Sequence, residues 1–394
     1  MPQTSNSKPP PKTIQALQFD LPNKHDPLHK ASAPPMTLAY TFDPAAIDSL
    51  GLGFSGWASF STGQKDAVRS VLAEYQTFIN VSFVETNASG NLDLYFGRTD
   101  IASDGLGGIR WSSGPGGFDL EGYAIFDPTE SLVDAYGRHL ILHEVGHAMT
   151  LKHPGGSGEG PFLPSRFENN KYSVMSYAPN PDGGGLASHL MLYDIAALQA
   201  RFGANLHYRT GNDAYTGPDG RLQVIWDAGG TDSIDGSFYG SALKIDLRDG
   251  RFSSLGEKDN LAIAFGVIIE NAAGGSGNDK LVGNKWSNAL TGGPGADAFV
   301  FLKAKGGRDV ITDFDPSGDT ILLDRDGFAG IGGKGALKAG KFHVGDGAHD
   351  RSDRIVYDDG LLIYDKNGSR PGKEKVFASI DPGVDLDHGM FIVV

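Results

Sequence analysis

Much of the chemistry in this sequence is concentrated in one dodecapeptide, HEVGHAMTLKHP, running from His143 to Pro154. His143 and His147 are four residues apart, which on an α-helix stacks them on one face, where two imidazoles can serve a single zinc ion. Glu144 is turned by about 100° from His143. It can therefore stand beside a metal without binding it, and take a proton from an attacking water. His153 offers a third nitrogen and leaves a fourth position open, as catalytic zinc sites do. His139 is also four residues from His143, but no matching ligand follows it, and it reads as an ordinary core or surface histidine.

A second segment, YSVMSY from Tyr172 to Tyr177, gains meaning only beside the first. Met175 after a tight turn can form an apolar floor under three imidazoles, and Tyr177 can bring a phenol towards the metal. These groups need a scaffold, and the sequence provides one. Thr37–Phe42 reads as a strand. Ser61 to Phe78 places Val68, Val71, Leu72 and Tyr75 at helical spacing, with Ser61 and Gln64 forming a capping-box pattern. Val81–Val84 and the alternating Leu92, Leu94 and Phe96 read as strands. Helices are expected over about Ser131 to Met149 and Met191 to Phe202, the latter stopped by Gly203.

Beyond Asn205 helical periodicity disappears, and Gly, Asp and Asn punctuate short apolar runs. The expected division is a leader or propeptide at 1–35, a mixed α+β domain at 36–205 and an all-β domain at 206–394. The leader carries Pro9, Pro10, Pro11, Pro34 and Pro35 with few apolar side chains, and disorder is expected for it. Residues 274–300 divide into three nonapeptides, GGSGNDKLV, GNKWSNALT and GGPGADAFV. Leu281, Leu290 and Phe299 recur at position eight and are expected to lie on one line into a core. Asp279 and Asp297 hold position six in the outer units, where stacked turns would bring carboxylates and glycine carbonyls together, a donor set that suits calcium.

The repeat resembles the calcium-binding repeats of RTX proteins, and the histidine motif with its methionine resembles the metzincin metalloproteases. Together they are similar to the serralysins, bacterial proteases that join a metzincin domain to a parallel β-roll. YGR before the zinc helix, MLYDIAALQ after the methionine and IWDAGGTD opening the second half belong to the same likeness, which runs from about Tyr40 to the C-terminus. The resemblance implies a secreted, zinc-dependent endopeptidase stabilised by calcium. His143, His147 and His153 would be zinc ligands, Glu144 the general base, Met175 the Met-turn residue and Tyr177 a switchable fifth ligand. Calcium positions carried over by motif are Arg209, Gly211, Asp213, Asp227, Gly229, Gly230, Asp232 and Glu270, with Gly275, Gly277, Asp279, Gly293, Gly295 and Asp297 in the repeat. One residue departs from the family: Thr150 stands where a glycine with positive φ is usual, and a tolerated strain of roughly 1–2 kcal/mol is expected there.

Composition narrows the partners. Among 394 residues there are 34 basic and 48 acidic side chains, a net charge of −14, the wrong sign for nucleic acid or an anionic membrane. No apolar run approaches the length of a spanning helix, and no apolar secretory stretch opens the chain. Cysteine is absent, which excludes disulfides, thiolate metal sites and cysteine catalysis. The expected partners are protein or peptide substrates, taken as extended segments along an edge strand for which Gly122–Phe126 is the candidate. No membrane insertion is expected, and the chain is expected to act as a monomer. The resemblance further implies export through a type I ABC exporter that reads the apolar C-terminus, although Met390 replaces the family's acidic residue and Asp387 stands further back. The rival reading is a secreted calcium-dependent binding protein whose zinc site is vestigial. No G-x-S-x-G element supports a lipase.

Overall fold

The computed structural model describes residues 10–21, 27–87, 92–114, 117–156, 160–183, 185–218, 220–304 and 308–394. In the first half, α1 (Pro11–Ala16) precedes β1 (Met36–Thr41), α2 (Pro44–Asp48) and α3 (Thr62–Phe78). The capping box at Ser61 is present in both directions, Ser61 Oγ accepting from Gln64 N and Gln64 Oε1 from Ser61 N, and α3 buries Val68, Val71, Leu72 and Tyr75. There follow β2 (Val81–Glu85), β3 (Leu94–Arg98), β4 (Gly105–Gly114), β5 (Gly117–Phe126), α4 (Ala135–Ala148) and α5 (Leu192–Phe202).

These strands form one mixed sheet in the order β2-β1-β3-β5-β4, parallel except for the β4–β5 pair. Gly122–Phe126 is therefore not an edge. It pairs with β3 on one side and β4 on the other, and the edges of the sheet are β2 and, next to β5, the glycine-rich β4. Nor does β3 alternate: all five of its residues are buried, because it lies between β1 and β5.

The leader departs from the disorder expected of it. Ala16 and Leu17 are fully buried, α1 packs on α5, and Gln18 bridges antiparallel to Leu151. Too apolar-poor to fold alone, the segment docks on a surface the rest of the domain already offers. Residues 1–9 and 22–26 lie outside the described set.

In the second half short strands fall into parallel stacks. Asn271–Ala273, Ala289–Thr291 and Asp309–Ile311 are neighbours in one sheet, and Lys280–Val282, Ala298–Phe301 and Thr320–Leu323 in another. Leu281 pairs with Phe299, whereas Leu290 pairs with Ala272 and Ile311. The nine-residue period is thus half a turn of the coil. Leu281 and Phe299 lie on one line and Leu290 on the opposite sheet, all three fully buried between the two.

The halves share one apolar core. At their junction Tyr172 meets Phe252 edge-on with ring centroids 5.4 Å apart, Tyr193 stacks on Phe265 at 6.3 Å, and Lys171 Nζ pairs with Asp259 at 2.7 Å. Among the described residues no helix is long and apolar enough to cross a membrane.

Candidate metal centre

The centre is built on α4. Its cap is Asp134, whose side chain accepts from Gly137 N at 2.8 Å, and every residue from His139 to Ala148 is buried. An apolar helix with no wet face must run inside the protein, so His143, Glu144 and His147 project into a protected site. Gly146 lets α4 approach the floor, since a Cβ there would stand 2.5 Å from Met175 Sδ. After Ala148 the chain turns back through Thr150, which adopts φ 72° while fully buried. The expected left-handed strain is present, and the Thr150 hydroxyl has no hydrogen-bond partner among the described residues. That turn delivers His153.

His143 Nε2 and His147 Nε2 each lie 3.0 Å from His153 Nε2. On their far sides, His143 Nδ1 is 2.9 Å from Val174 O and His147 Nδ1 is 2.9 Å from Leu151 O. A carbonyl can only accept, so both Nδ1 atoms carry hydrogen and both Nε2 atoms present bare lone pairs to a common point. Burial pushes the pKa of His143 down to about 4 and that of His147 to about 3, and lowers His153. All three are neutral near pH 7, the state that ligates metal. The three converging nitrogens fit a tetrahedral cation with one open position. His139 does not join them; its Nδ1 is bonded to Ala187 O at 2.9 Å.

Glu144 is buried beside the triad, and its carboxylate accepts a main-chain hydrogen bond from Gly107 of β4. Burial pushes its pKa up to about 8, near the operating range of a proton carrier. Tyr177 is 78 % exposed, with its ring centroid 4.5 Å from that of His153 and 5.7 Å from that of His143. In front of the triad opens a cleft of about 680 Å³ lined by Phe19, Lys152, His153, Phe162, Met175 and Tyr177. Phe19 lies in the N-terminal segment before β1, and no local pattern marks it; its ring centroid is 5.9 Å from that of His147.

The oxygen-rich positions also gather. Asp213, Asp227 and Asp232 present carboxylate oxygens within 4.8 Å of one another, and Glu270 Oε2 accepts Asp232 N at 2.8 Å. Arg209 takes φ 48°, Gly229 φ 141° and Gly230 φ 154°, the last turned against Gly211. In the repeat, Asp279 accepts from Gly275 N and Leu243 N, and Asp297 accepts from Asp279 N at 2.7 Å. Gly293 and Gly295, both with positive φ, stack on Gly275 and Gly277. One oxygen of Asp232 and one of Asp297 are buried with no donor among the described residues, the state of a carboxylate oxygen shaped for a cation. The ladder continues to Asp319, which accepts from Asp297 N at 2.8 Å. Sequence reading missed that rung because it stands 22 residues on, outside the nine-residue frame.

A family model described as Peptidase M10 serralysin C terminal matches residues 202–328. The chain is 31 % identical over 354 residues to a serralysin of Photorhabdus luminescens, a match spanning 75 % of this chain and 73 % of that protein. It is 31 % identical over 291 residues to metallopeptidase AprA of Pseudomonas marginalis, covering 64 % and 61 % of the two chains, and 35 % identical over 271 residues to serralysin C of Dickeya chrysanthemi, covering 60 % and 57 %. Similarity of this extent, together with the helix-borne histidines, defines a metalloendopeptidase of the M10 class. Within that class the chain belongs to the serralysin family.

Proposed function

We propose that the protein is a secreted endopeptidase that holds zinc through His143, His147 and His153 and cleaves extended protein segments with Glu144 as general base. The observation that carries this reading is the convergence of three Nε2 atoms next to a buried carboxylate that β4 holds in place. Zinc bound there would supply Lewis acidity, making water a better nucleophile and polarising the scissile carbonyl. Glu144 takes the proton of the attacking water and passes it to the leaving amine. Tyr177, exposed and next to His153, would be a further oxygen donor to a bound metal, and its hydroxyl would donate to the developing oxyanion. The substrate adds as a further strand to the open edge of β4.

In this reading 36–205 is a metzincin α+β domain and 206–394 a calcium-binding β-roll. Asp213, Asp227, Asp232, Glu270, Asp279 and Asp297 supply carboxylates, while Arg209, Gly211, Gly229, Gly230, Gly275, Gly277, Gly293 and Gly295 supply main-chain carbonyls. Residues 1–35 are a leader or propeptide, and a type I ABC exporter passes the chain outward before calcium folds the second half. A vestigial site is disfavoured because the triad closes despite Thr150.

Casein digestion with and without a zinc chelator tests the reading, using Glu144→Ala as control. We expect the chelator to abolish digestion. The variant should retain zinc and fold while losing nearly all turnover. Parental activity in Glu144→Ala would refute the mechanism.

A further inference from the structure

We propose an additional calcium site in the C-terminal part of the chain, at the turn Asp365–Ser369, with Asp365 and Asn367 as side-chain ligands. Asp365 ends the strand Leu361–Asp365, which pairs antiparallel with Ile355–Asp358 and Glu374–Ser379. It is fully buried. One carboxylate oxygen accepts Asn367 N at 2.9 Å, and the other is reached by no donor among the described residues. Asn367 repeats the pattern: its amide nitrogen donates to Arg370 O at 2.7 Å, leaving a buried amide oxygen without a donor among the described residues. Two orphaned acceptors two residues apart on one turn are unusual for a folded protein, where buried acceptors are paired.

The basic residue opposite does not answer the charge. Arg354 accepts Asp365 N through its main-chain oxygen, but one terminal guanidinium nitrogen, Nη1, donates to the carbonyls of Arg351 and Asp353, and no ion pair to Asp365 is present among the described residues. The turn is instead pressed against a second acidic loop. Ser369 N donates to Asp350 O at 2.8 Å, and a Cβ on Gly368 (φ 65°) would stand 2.6 Å from that same oxygen. In this loop His349, Asp350 and Asp353 bring ligand atoms within 4.8 Å of one another. A carboxylate oxygen and an amide oxygen, both buried and without a donor among the described residues, on a turn packed against the main chain of an acidic loop, make a hard-oxygen environment that favours calcium over a transition metal. The site lies beyond residues 202–328 matched by the family model and outside the β-roll positions named above.

The full chain, equilibrated with millimolar calcium and desalted, is to be weighed by native mass spectrometry and its metal counted by elemental analysis. Asp365→Ala and Asn367→Ala should each carry one calcium fewer than the parent. Asn367 is only half-buried, so its variant folds and decides the count should Asp365→Ala fail to. Asn367→Asp adds a charge to the turn. It should raise the thermal midpoint above the parent's in calcium and lower it below the parent's in EGTA. A calcium count unchanged in the alanine variants, or an Asn367→Asp penalty of the same size with and without calcium, would overturn the proposal.

Discussion

Asp194 holds Val174, and Val174 holds His143: the Asp194 carboxylate accepts Val174 N–H at 2.7 Å, while the Val174 carbonyl accepts His143 Nδ1–H at 2.9 Å. The same carboxylate takes the Ser173 hydroxyl at 2.6 Å and Met191 N–H at 3.0 Å. One fully buried acid thus joins the N-terminus of α5, the Met175 turn and a histidine of the centre. Asp194→Ala strands three donors, and we expect about 2–4 kcal/mol lost in urea unfolding. Zinc affinity, measured by chelator competition, should fall by about 10- to 100-fold. Unchanged zinc affinity in a folded variant would show that the link does not orient His143.

Burial pushes the Asp194 pKa up to about 7, above its unfolded value near 3.9. The preference for the protonated form stabilises the fold fully below about pH 4 and is lost as pH rises through 7. The difference in unfolding free energy between parent and Asp194→Asn should therefore decline for the parent from pH 5 to 8, by at most about 1.4 kcal/mol per pH unit. Urea titrations at fixed calcium measure it; parallel pH profiles would contradict the assignment.

Thr150 combines φ 72° with a buried hydroxyl that has no partner among the described residues. Thr150→Gly removes both costs, roughly 1–2 kcal/mol for the backbone and 1–3 for the hydroxyl, against a smaller loss of methyl packing and a flexible unfolded chain. A net gain of about 1–2 kcal/mol is expected, with His153 still a ligand. The N-terminal segment makes the test sharper, because Phe19 N donates to Thr150 O and Lys152 N to Leu17 O, so the turn is clamped on both sides. A lower melting temperature would mean that the clamp, not the residue, sets this conformation.

The zinc-type motif was legible because its logic is local: i, i+4 on a helix and a third histidine after one turn. The capping box at Ser61 was legible for the same reason. What escaped is long-range. The edge strand was placed at Gly122–Phe126, whose apolar residues look like a strand, while β4 hides its strand nature in glycines at 105, 107 and 108. A nine-residue repeat does not say whether successive units stay in one sheet, and pairing at a separation of 18 decides it. Asp194 stands in the first turn of α5. Its reach to Val174, twenty residues back, exists only after folding.

Tyr177 is exposed and touches the imidazole cluster through its ring, so its hydroxyl is the part free to move to substrate. Tyr177→Phe keeps the ring contact and deletes only that hydroxyl. We expect kcat to fall by about 10²- to 10³-fold with KM changed far less, as for removal of one oxyanion donor. An increase in KM at unchanged kcat would assign Tyr177 to substrate binding instead.

Asp297 accepts Asp279 N with one oxygen and leaves the other buried and without a donor among the described residues. Burial, with the charges of Asp319, Asp279 and Asp313 around it, raises its pKa to about 6. Without a cation, a charged Asp297 near pH 7 costs stability; with one, the unpaired oxygen becomes a ligand. Asp297→Asn relieves the first and weakens the second, so its effect should change sign with calcium. In EGTA the variant should melt above the parent. In millimolar calcium the parent should gain about 2.7 kcal/mol for a site filled at a hundred times its Kd, and melt above the variant. The far-ultraviolet β signal of the parent should rise on calcium addition, with less rise in the variant. Melting curves of parent and variant that keep the same order in both buffers would show that Asp297 is a structural acid and not a calcium ligand.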